Sequence, residues 1–386
     1  MTVSFLHTAD WQLGKPFAGI GDQQKRALVQ QERVAALHRV AGIAQAQGAE
    51  FIVVAGDLFD STRATKPTVS AACAAIGAMG VPVYVIPGNH DHGGPGCLWE
   101  QPFFRHEQEH LAPNLRLLLK PEPVELPNAV LLPCPLLRKH ETRDATAWLR
   151  TLDLEPFGDK PRLVLAHGSI QGFGAIDDEE EFSASVNRID LSQLPEDRFD
   201  YIALGDWHGM KQVGPKAWYA GTPEPDRFSR GAGNDPGHVL LITASRGGMP
   251  EVKPVHTARL GWHRTVFEFS DDNGPASLEA EVDALIAGRA RQDLLRLELR
   301  GTLGIEAMTS LEQKLEAWQS RLLRLKLYNR TIVAPSEAET EALVQRTSDP
   351  LIARVAAKLV ARASGQDEDA ALARLALREL HAACAH

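Results

Sequence analysis

Short runs of β-branched and other apolar residues recur along the first half of the chain, each of a length typical of a buried strand. The clearest run, residues 81–86, leads into a polar turn at 87–91. Between the runs, residues 22–48 and 67–79 carry apolar positions at helical spacing, and Gly48 is suited to end the first of these helices. Strands alternating with helices predict an open α/β sheet.

Polar side chains with metal-binding or acid–base capacity follow five of these runs. They are Asp10, Asp57, the group Asn89, His90 and Asp91, then His167, and finally Asp206 with His208. Ligand sites of open α/β sheets lie at the carboxyl ends of strands, so we expect these side chains to converge. Mixed Asp, Asn and His ligands suit manganese, iron, zinc or magnesium. Because the candidates exceed the needs of one ion and Asp57 can bridge two, a two-metal site is the economical interpretation.

The same residues carry a resemblance to a known family. The series Asp10, Gly56-Asp57, GNHD at 88–91, His167-Gly168 and Gly205-x-x-His208 resembles the calcineurin-like metallophosphoesterases. HTADW at 7–11 and GTPEP at 221–225 are similar to the SbcD-like branch, whose members are nuclease subunits of a bacterial DNA-repair complex. The resemblance covers the motifs of roughly the first 240 residues; beyond them it is only a pattern of elements.

The resemblance implies how the ligands divide between two ions. Asp10, Gln12, Asp57 and His208 match one set, and Asp57, Asn89, His167 and Asp206 match the other. Two of these positions depart from the pattern, because SbcD-like chains carry histidine where this chain has Gln12 and Asp206. His7 is a poor substitute ligand, since it precedes Asp10 on the strand and points elsewhere in the alternation.

Catalytic roles are expected at two further residues. His90 is next to the ligand Asn89 and cannot easily bind the same ion, so it can protonate the leaving oxygen or steady the phosphate. Asp91 is expected to orient His90. The harder ligands Gln12 and Asp206 favour manganese, with magnesium or iron as alternatives. Gln12 is a weak ligand, so the ion beside it is expected to be the more labile one.

The resemblance and the element pattern predict a two-sheet α/β/β/α metallophosphoesterase sandwich with a small α/β cap domain and a helical C-terminal tail. The expected domains are residues 1–258, 259–335 and 336–386. In the cap, two helical patterns alternate with three strand-like runs as a βαβαβ module. Two amphipathic helices are expected in the tail, and they either pack on their own domain or dock a partner.

Phosphodiester hydrolysis is the expected reaction, with DNA as substrate and an SbcC-like coiled-coil ATPase as the partner of the C-terminal helices. The resemblance carries both expectations, and a homodimer is also possible. A net charge of −9 weighs against binding naked DNA, although residues 286–330 hold nine Lys or Arg against five Asp or Glu. Two alternatives stay open: a phosphodiesterase acting on smaller nucleotides, and a weakly catalytic scaffold for DNA or the ATPase.

Cysteine usage and hydropathy indicate the cellular compartment of the protein. The four cysteines are widely separated, with no Cys-x-x-Cys pair, so neither a disulfide framework nor a zinc knuckle is expected. No apolar run reaches the ~18 residues of a membrane span, and no secretory signal pattern is present at the start. A cytoplasmic location without membrane association is the resulting prediction.

Overall fold

The computed structural model describes residues 1–170, 186–229, 234–333, 336–365 and 367–384. The chain divides into two units, Met1–Leu260 and Gly261–His386.

The first unit alternates strands and helices as its hydrophobic pattern predicts. Its strands are β1 (Thr2–Thr8), β2 (Phe51–Ala55), β3 (Val83–Ile86), β4 (Leu115–Leu117), β5 (Val124–Glu125), β6 (Val130–Cys134), β7 (Arg162–His167), β8 (Ser169–Ile170), β9 (Arg188–Ile189), β10 (Tyr201–Gly205), β11 (Lys211–Gly214), β12 (Ala217–Tyr219), β13 (His238–Ser245) and β14 (Glu251–His256). Its helices are α1 (Gln23–Gln47), α2 (Lys66–Gly77) and α3 (Pro102–Leu111).

Two sheets form a sandwich. The first has the strand order β14-β13-β1-β2-β3-β4, in which β1 to β4 are parallel. The second has the order β11-β12-β10-β7-β6-β5, in which the four central strands are parallel. The inner faces share one core that includes Phe5, Leu163 and Tyr201. Helices α1 and α2 pack on the outer face of the first sheet, so its parallel strands are buried on both sides.

Local signals explain the bounds of α1. The Asp22 carboxylate accepts hydrogen bonds from the backbone N–H groups of Gln24 and Lys25, which caps the start of the helix. Gly48 ends it in the left-handed conformation, with φ of 64°. The predicted cap at this glycine is therefore confirmed.

The second unit begins with a parallel sheet. Its strands are β15 (Gly261–Phe269), β16 (Asp293–Leu303), β17 (Arg324–Asn329) and β18 (Ile332–Val333), and its first helices are α4 (Gly274–Ile286) and α5 (Ile305–Arg321). The order β15-β16-β17 is fully parallel. Leu295, Leu297 and Leu299 of β16 form a core with residues of α4 and α5. The βαβαβ pattern predicted for the cap is present in this segment.

The C-terminal segment is helical, as predicted. Its helices are α6 (Glu337–Val344), α7 (Pro350–Ala363) and α8 (Glu368–Cys384). Leu343, Ala356 and Leu377, one from each helix, form a small buried cluster. Other apolar side chains of α7 and α8 are exposed; Leu351 is 72% exposed and Leu372 is 64% exposed. The tail therefore has its own small core and several exposed apolar side chains.

The two sheets, the flanking helices and the helical tail confirm the predicted fold class. Among the described residues, no helix has both the length and the apolar character needed to cross a membrane.

Candidate metal centre

The ends of β1, β2 and β7 bring three ligand-type side chains together. Asp10, Asp57 and His167 each offer an atom within 4.8 Å of the others, and all three are buried. Contacts between the sheets hold this arrangement. The Asp206 backbone N–H, after β10, lies 3.1 Å from Asp10 Oδ1, and His167 Nδ1 lies 2.8 Å from the Ala55 carbonyl oxygen of β2. The convergence expected from the strand-end pattern is observed.

The backbone is strained where these side chains leave the strands. Asp10, Gln12, Asp57 and Asp206 all have positive φ, at 54°, 39°, 55° and 105°. Few non-glycine residues adopt this region, and each such residue costs on the order of 1–3 kcal/mol. Clusters of such residues are typical of functional sites, where the fold holds a side chain in a required direction.

Two glycines permit the close approach of the ligand loops. A Cβ atom on Gly56 would overlap the His167 ring, and one on Gly88 would overlap the Asp57 carboxylate. The glycines of the GD and GNHD motifs therefore make room for the neighbouring ligand.

One side of Asp57, which we call the His167 side, has a ring nitrogen directed at several oxygens. A carbonyl oxygen only accepts, so the bond to Ala55 places the proton of His167 on Nδ1 and leaves Nε2 with a lone pair in the neutral ring. His167 Nε2 lies 3.0 Å from Asn89 Oδ1, 3.6 Å from Asp57 Oδ1 and 3.8 Å from Asp206 Oδ1. With a neutral His167 ring, this side places several acceptor oxygens around an acceptor nitrogen, and only a cation or a proton can reconcile them.

The pKa values on the His167 side reflect that crowding. Burial raises the pKa of Asp10, His167 opposes this effect, and the neighbouring carboxylates of Asp57 and Asp206 add to it, so that the pKa is about 8. Burial also raises the pKa of Asp206 to about 6. Burial alone would lower the pKa of His167, but the three carboxylates outweigh it and raise the pKa to about 9. Buried carboxylates with such pKa values favour a cation among them. The donor set on this side fits a divalent ion.

The other side of Asp57, which we call the His208 side, already contains donors. Gln12 Nε2 donates to Asp57 Oδ2 at 3.3 Å and lies 3.4 Å from His208 Nε2. Lys15 Nζ donates to Gln12 Oε1 at 2.8 Å. Burial lowers the pKa of His208 to about 4, so its ring is neutral at pH 7. The Gln12 amide, the neutral His208 ring and the Lys15 ammonium occupy the space where a second ion would meet its ligands. The His208 side therefore does not fit a divalent ion.

Three residues that support the site escape the sequence analysis. The Asp226 carboxylate accepts from His208 Nδ1 at 2.9 Å, and it pairs with Lys15 at 2.8 Å. Burial would raise the pKa of Asp226, but Arg227, His208 and Lys15 lower it well below its usual value. The buried guanidinium of Arg33 on α1 donates to the carbonyl oxygens of Asp10 and Trp11 and so fixes the first ligand loop. Asp226 directly follows the GTPEP motif, which could have pointed to it; Arg33 and Lys15 carry no such signal.

His90 and Asp91 are oriented differently from the prediction. His90 Nδ1 donates to the Asp60 carbonyl oxygen at 2.8 Å, and the His90 backbone N–H donates to Asp57 Oδ1 at 2.9 Å. The buried Asp91 carboxylate instead accepts from the backbone N–H groups of Gly88 and Phe59. The expected orientation of His90 by Asp91 is therefore wrong, because Asp91 braces the turn and Asp60 holds the ring.

The structure places all the other predicted ligands around Asp57, on one side or the other. His7 is buried beside Tyr201, with 2.9 Å between its Nδ1 and the hydroxyl, so it points away from the cluster, as its place in the strand predicts.

The sequence matches the calcineurin-like phosphoesterase family over residues 3–231, which is more than half of the chain. The chain belongs to this family, and membership implies metal-dependent phosphoester hydrolysis with divalent cations. Among solved structures, it is similar to TT1561 of Thermus thermophilus, at 13% identity and a TM-score of 0.41, over 67% of this chain and 100% of that one. A dimetal phosphatase from Danio rerio is similar at 13% identity and a TM-score of 0.38, over 66% and 99% of the two chains.

Proposed function

We propose that the chain is a metal-dependent phosphodiesterase that hydrolyses DNA as the nuclease subunit of a repair complex. The observation that carries the hydrolytic part is the buried cluster of Asp10, Asp57 and His167 with His90 at its edge. The resemblance of the HTADW and GTPEP motifs to SbcD-like nucleases supports the choice of DNA. Manganese is the ion expected on the oxygen-rich His167 side.

The side chains of the site have separable roles in this reaction. Asp57, Asn89, His167 and Asp206 would hold the ion, which when bound would neutralise phosphate charge and lower the pKa of water enough to make hydroxide available at neutral pH. His90 is fixed by its Nδ1–H bond to Asp60, so Nε2 is the nitrogen that exchanges a proton with the leaving oxygen. Asp91 and Arg33 keep the turn and the first loop in place.

A basic row on the second unit supports a polyanionic substrate. In the register of β15, β16 and β17, Arg264, Arg296 and Lys326 are direct neighbours. They lie on the face opposite the leucine core, and both Arg296 and Lys326 are stacked over the Tyr328 ring. Basic groups bind the nucleic-acid backbone, and an aromatic ring can stack on an unpaired base. This row explains how an acidic chain could bind DNA locally.

The exposed stripe of α7 and α8 supports a partner protein. Leu351, Val355, Leu372 and Leu375 are 72%, 41%, 64% and 51% exposed. Several large apolar side chains exposed on neighbouring helices are typical of an interaction site. An SbcC-like coiled-coil ATPase, which would offer a matching apolar helix surface, is the partner we propose for this stripe.

Hydrolysis of several phosphodiesters tests the substrate. Full-length protein with Mn²⁺ is incubated with duplex DNA, single-stranded DNA, a dinucleotide and a small chromogenic phosphodiester, and Asp57→Asn provides the background. Cleavage of DNA well above the small esters is expected. Cleavage of the small substrates alone would favour the nucleotide phosphodiesterase, and absence of turnover on all of them would favour the scaffold.

Charge substitutions test the partner. Leu351→Glu/Val355→Glu places two carboxylates in the stripe, whereas Ala357→Glu places one at an exposed position of α7 outside it. The double variant should lose co-purification with the co-expressed ATPase while retaining hydrolysis, and Ala357→Glu should retain both. Equal co-purification of both variants would contradict docking at this stripe.

A further inference from the structure

The orientation of the Gln12 amide is fixed by its neighbours. An ammonium group only donates and a carboxylate only accepts. Gln12 Oε1 therefore faces Lys15 Nζ at 2.8 Å, and Gln12 Nε2 faces Asp57 Oδ2 at 3.3 Å. Turning the amide to offer its oxygen to an ion would break both bonds and place an N–H group against an ammonium.

The protons of His208 complete the same network. The Asp226 carboxylate takes the Nδ1–H of His208, so the lone pair of the ring is on Nε2. Gln12 Nε2 and Arg227 Nη2 each lie 3.4 Å from that nitrogen as donors. Two of the lone pairs that a second ion would need, on Asp57 Oδ2 and His208 Nε2, are thus both met by Gln12.

Charge on this side is also already balanced. Lys15 Nζ pairs with Asp226 Oδ2 at 2.8 Å and lies 3.8 Å from Asp60 Oδ1. The Lys15 side chain is 18% exposed and Asp226 is 1% exposed, so solvent screens the pair only weakly. A divalent ion here would meet the ammonium of Lys15 and the guanidinium of Arg227 at close range, which disfavours its binding.

We infer that this chain holds a single divalent cation, on the His167 side, and that the Gln12 carboxamide locked by Lys15 fills the place of a second one. Lys15 is a positioning residue, since it acts through the Gln12 amide. The inference rests on the proposed metal-dependent function for its premise that an ion is bound. The sequence predicted a labile second ion beside Gln12; we infer that no second ion binds there.

Counting bound manganese tests the inference without reference to turnover. Full-length protein is stripped with chelator, titrated with Mn²⁺ by calorimetry and analysed for metal after gel filtration. The wild type should bind one equivalent, and its electron paramagnetic resonance spectrum should be that of isolated Mn²⁺. Gln12→His restores an imidazole and should bind two, with the spectrum of a spin-coupled pair. Gln31→His, at an exposed position of α1, is the matched control and should stay at one.

A second pair of variants tests Lys15. Lys15→Met frees the amide to turn its oxygen inward and should add a weak second equivalent, and Gln12→His/Lys15→Met should bind the second ion at least as tightly as Gln12→His. Two tight ions in the wild type would overturn the inference, as would one ion in every variant. The proposed function fails separately: a chain with one ion and no phosphodiesterase activity refutes it and leaves the ion count intact.

Discussion

The two sides of Asp57 share one carboxylate but present opposite electrostatic problems. On the His167 side, Asp10 has its pKa raised to about 8 by burial and by nearby carboxylates, so negative charge is in excess there. On the His208 side, the pKa of Asp226 is well below its usual value despite burial, because cations surround it. The His167 side is suited to a bound cation, whereas the His208 side already contains the cationic side chains of Lys15 and Arg227.

Ligand-type residues are therefore not sufficient evidence for a bound ion. His208 and Asp57 Oδ2 look like ligands by position, but their lone pairs are bonded to Gln12. His167 Nε2 and Asp57 Oδ1 are 3.6 Å apart, and in the neutral ring both are acceptors. The two sides differ in how many of their lone pairs already accept a hydrogen bond from an N–H group of the protein.

The largest effect is expected where the two sides meet. Asp57→Ala removes the carboxylate that faces both sides and should abolish Mn²⁺ binding by the stripped chain. Loss of the ion removes at least about 4 kcal/mol of transition-state stabilisation, or roughly a thousandfold in rate. Metal analysis and the DNA cleavage rate measure the two consequences together.

Asp159→Ala is the matched control for this change, because Asp159 is an exposed aspartate of the same unit. It should leave metal content and rate unchanged. Retention of one full equivalent of Mn²⁺ by a folded Asp57→Ala chain would show that Asp57 is not the shared ligand.

Substitution of one histidine on each side of Asp57 tests the asymmetry directly. His167→Ala should lose the ion, since Nε2 of that ring lies within reach of Asn89 and Asp57. His208→Ala should keep it, because the lone pair of His208 is bonded to protein donors. Calorimetric titration with Mn²⁺ distinguishes them. Loss of the ion from both variants to the same degree would contradict the asymmetry between the two sides.

The sequence predicted one side of the site better than the other for a physical reason. Asp10, Asp57, Asn89 and His167 follow buried parallel strands, and strand order places such residues at one edge whatever the loops do. The bond between Lys15 and Gln12 depends on a side-chain orientation within a loop, and the pairing of His208 with Asp226 depends on a turn. Hydrophobic periodicity carries no information about either of these contacts. The fold class, in contrast, followed from periodicity and motifs.

The error over Asp91 has a similar origin. Adjacent residues in GNHD suggest an Asp–His pair, yet neighbours in an extended turn point in different directions. The Asp91 carboxylate instead meets the buried N–H groups of Gly88 and Phe59, which would otherwise lack partners. The need of buried backbone N–H groups for a hydrogen-bond acceptor outweighed the side-chain pairing that the motif suggests.

A smaller effect is expected at His90, which lies at the edge of the His167 side. His90→Ala should retain one equivalent of Mn²⁺ and lose about 100-fold or more in rate, the range of general acid–base catalysis. His92→Ala provides a control at a nearby histidine of the same loop and should have a minor effect. An unchanged rate for His90→Ala would remove the proposed proton transfer.

The smallest effect concerns the stability of the metal-free chain above neutral pH. In the folded state, His167 has a pKa of about 9 against 6.5 for the free side chain, and Asp10 has one of about 8 against 3.8. Both folded values are raised, so from pH 6.5 to 9 the folded chain holds more protons than the unfolded chain. The free energy of unfolding therefore falls as pH rises through this window. His7 and His208, with folded values of about 3 and 4, oppose this slope mainly at and below pH 6.5, where the unfolded chain still protonates them.

Calorimetric melting at pH 6.5 and 9 with chelator, and again with Mn²⁺, measures this slope. The Tm should fall with pH in chelator, and Mn²⁺ should reduce the fall because the ion binds the folded chain and replaces the proton of His167. His167→Gln should make the chelator profile less steep, because only Asp10 of the pair then contributes, whereas His140→Gln, at an exposed position, should leave it unchanged. A Tm in chelator that is constant or rises over this window would mean that the carboxylates around His167 do not hold its proton, and the electrostatic contrast between the two sides of Asp57 would then be lost.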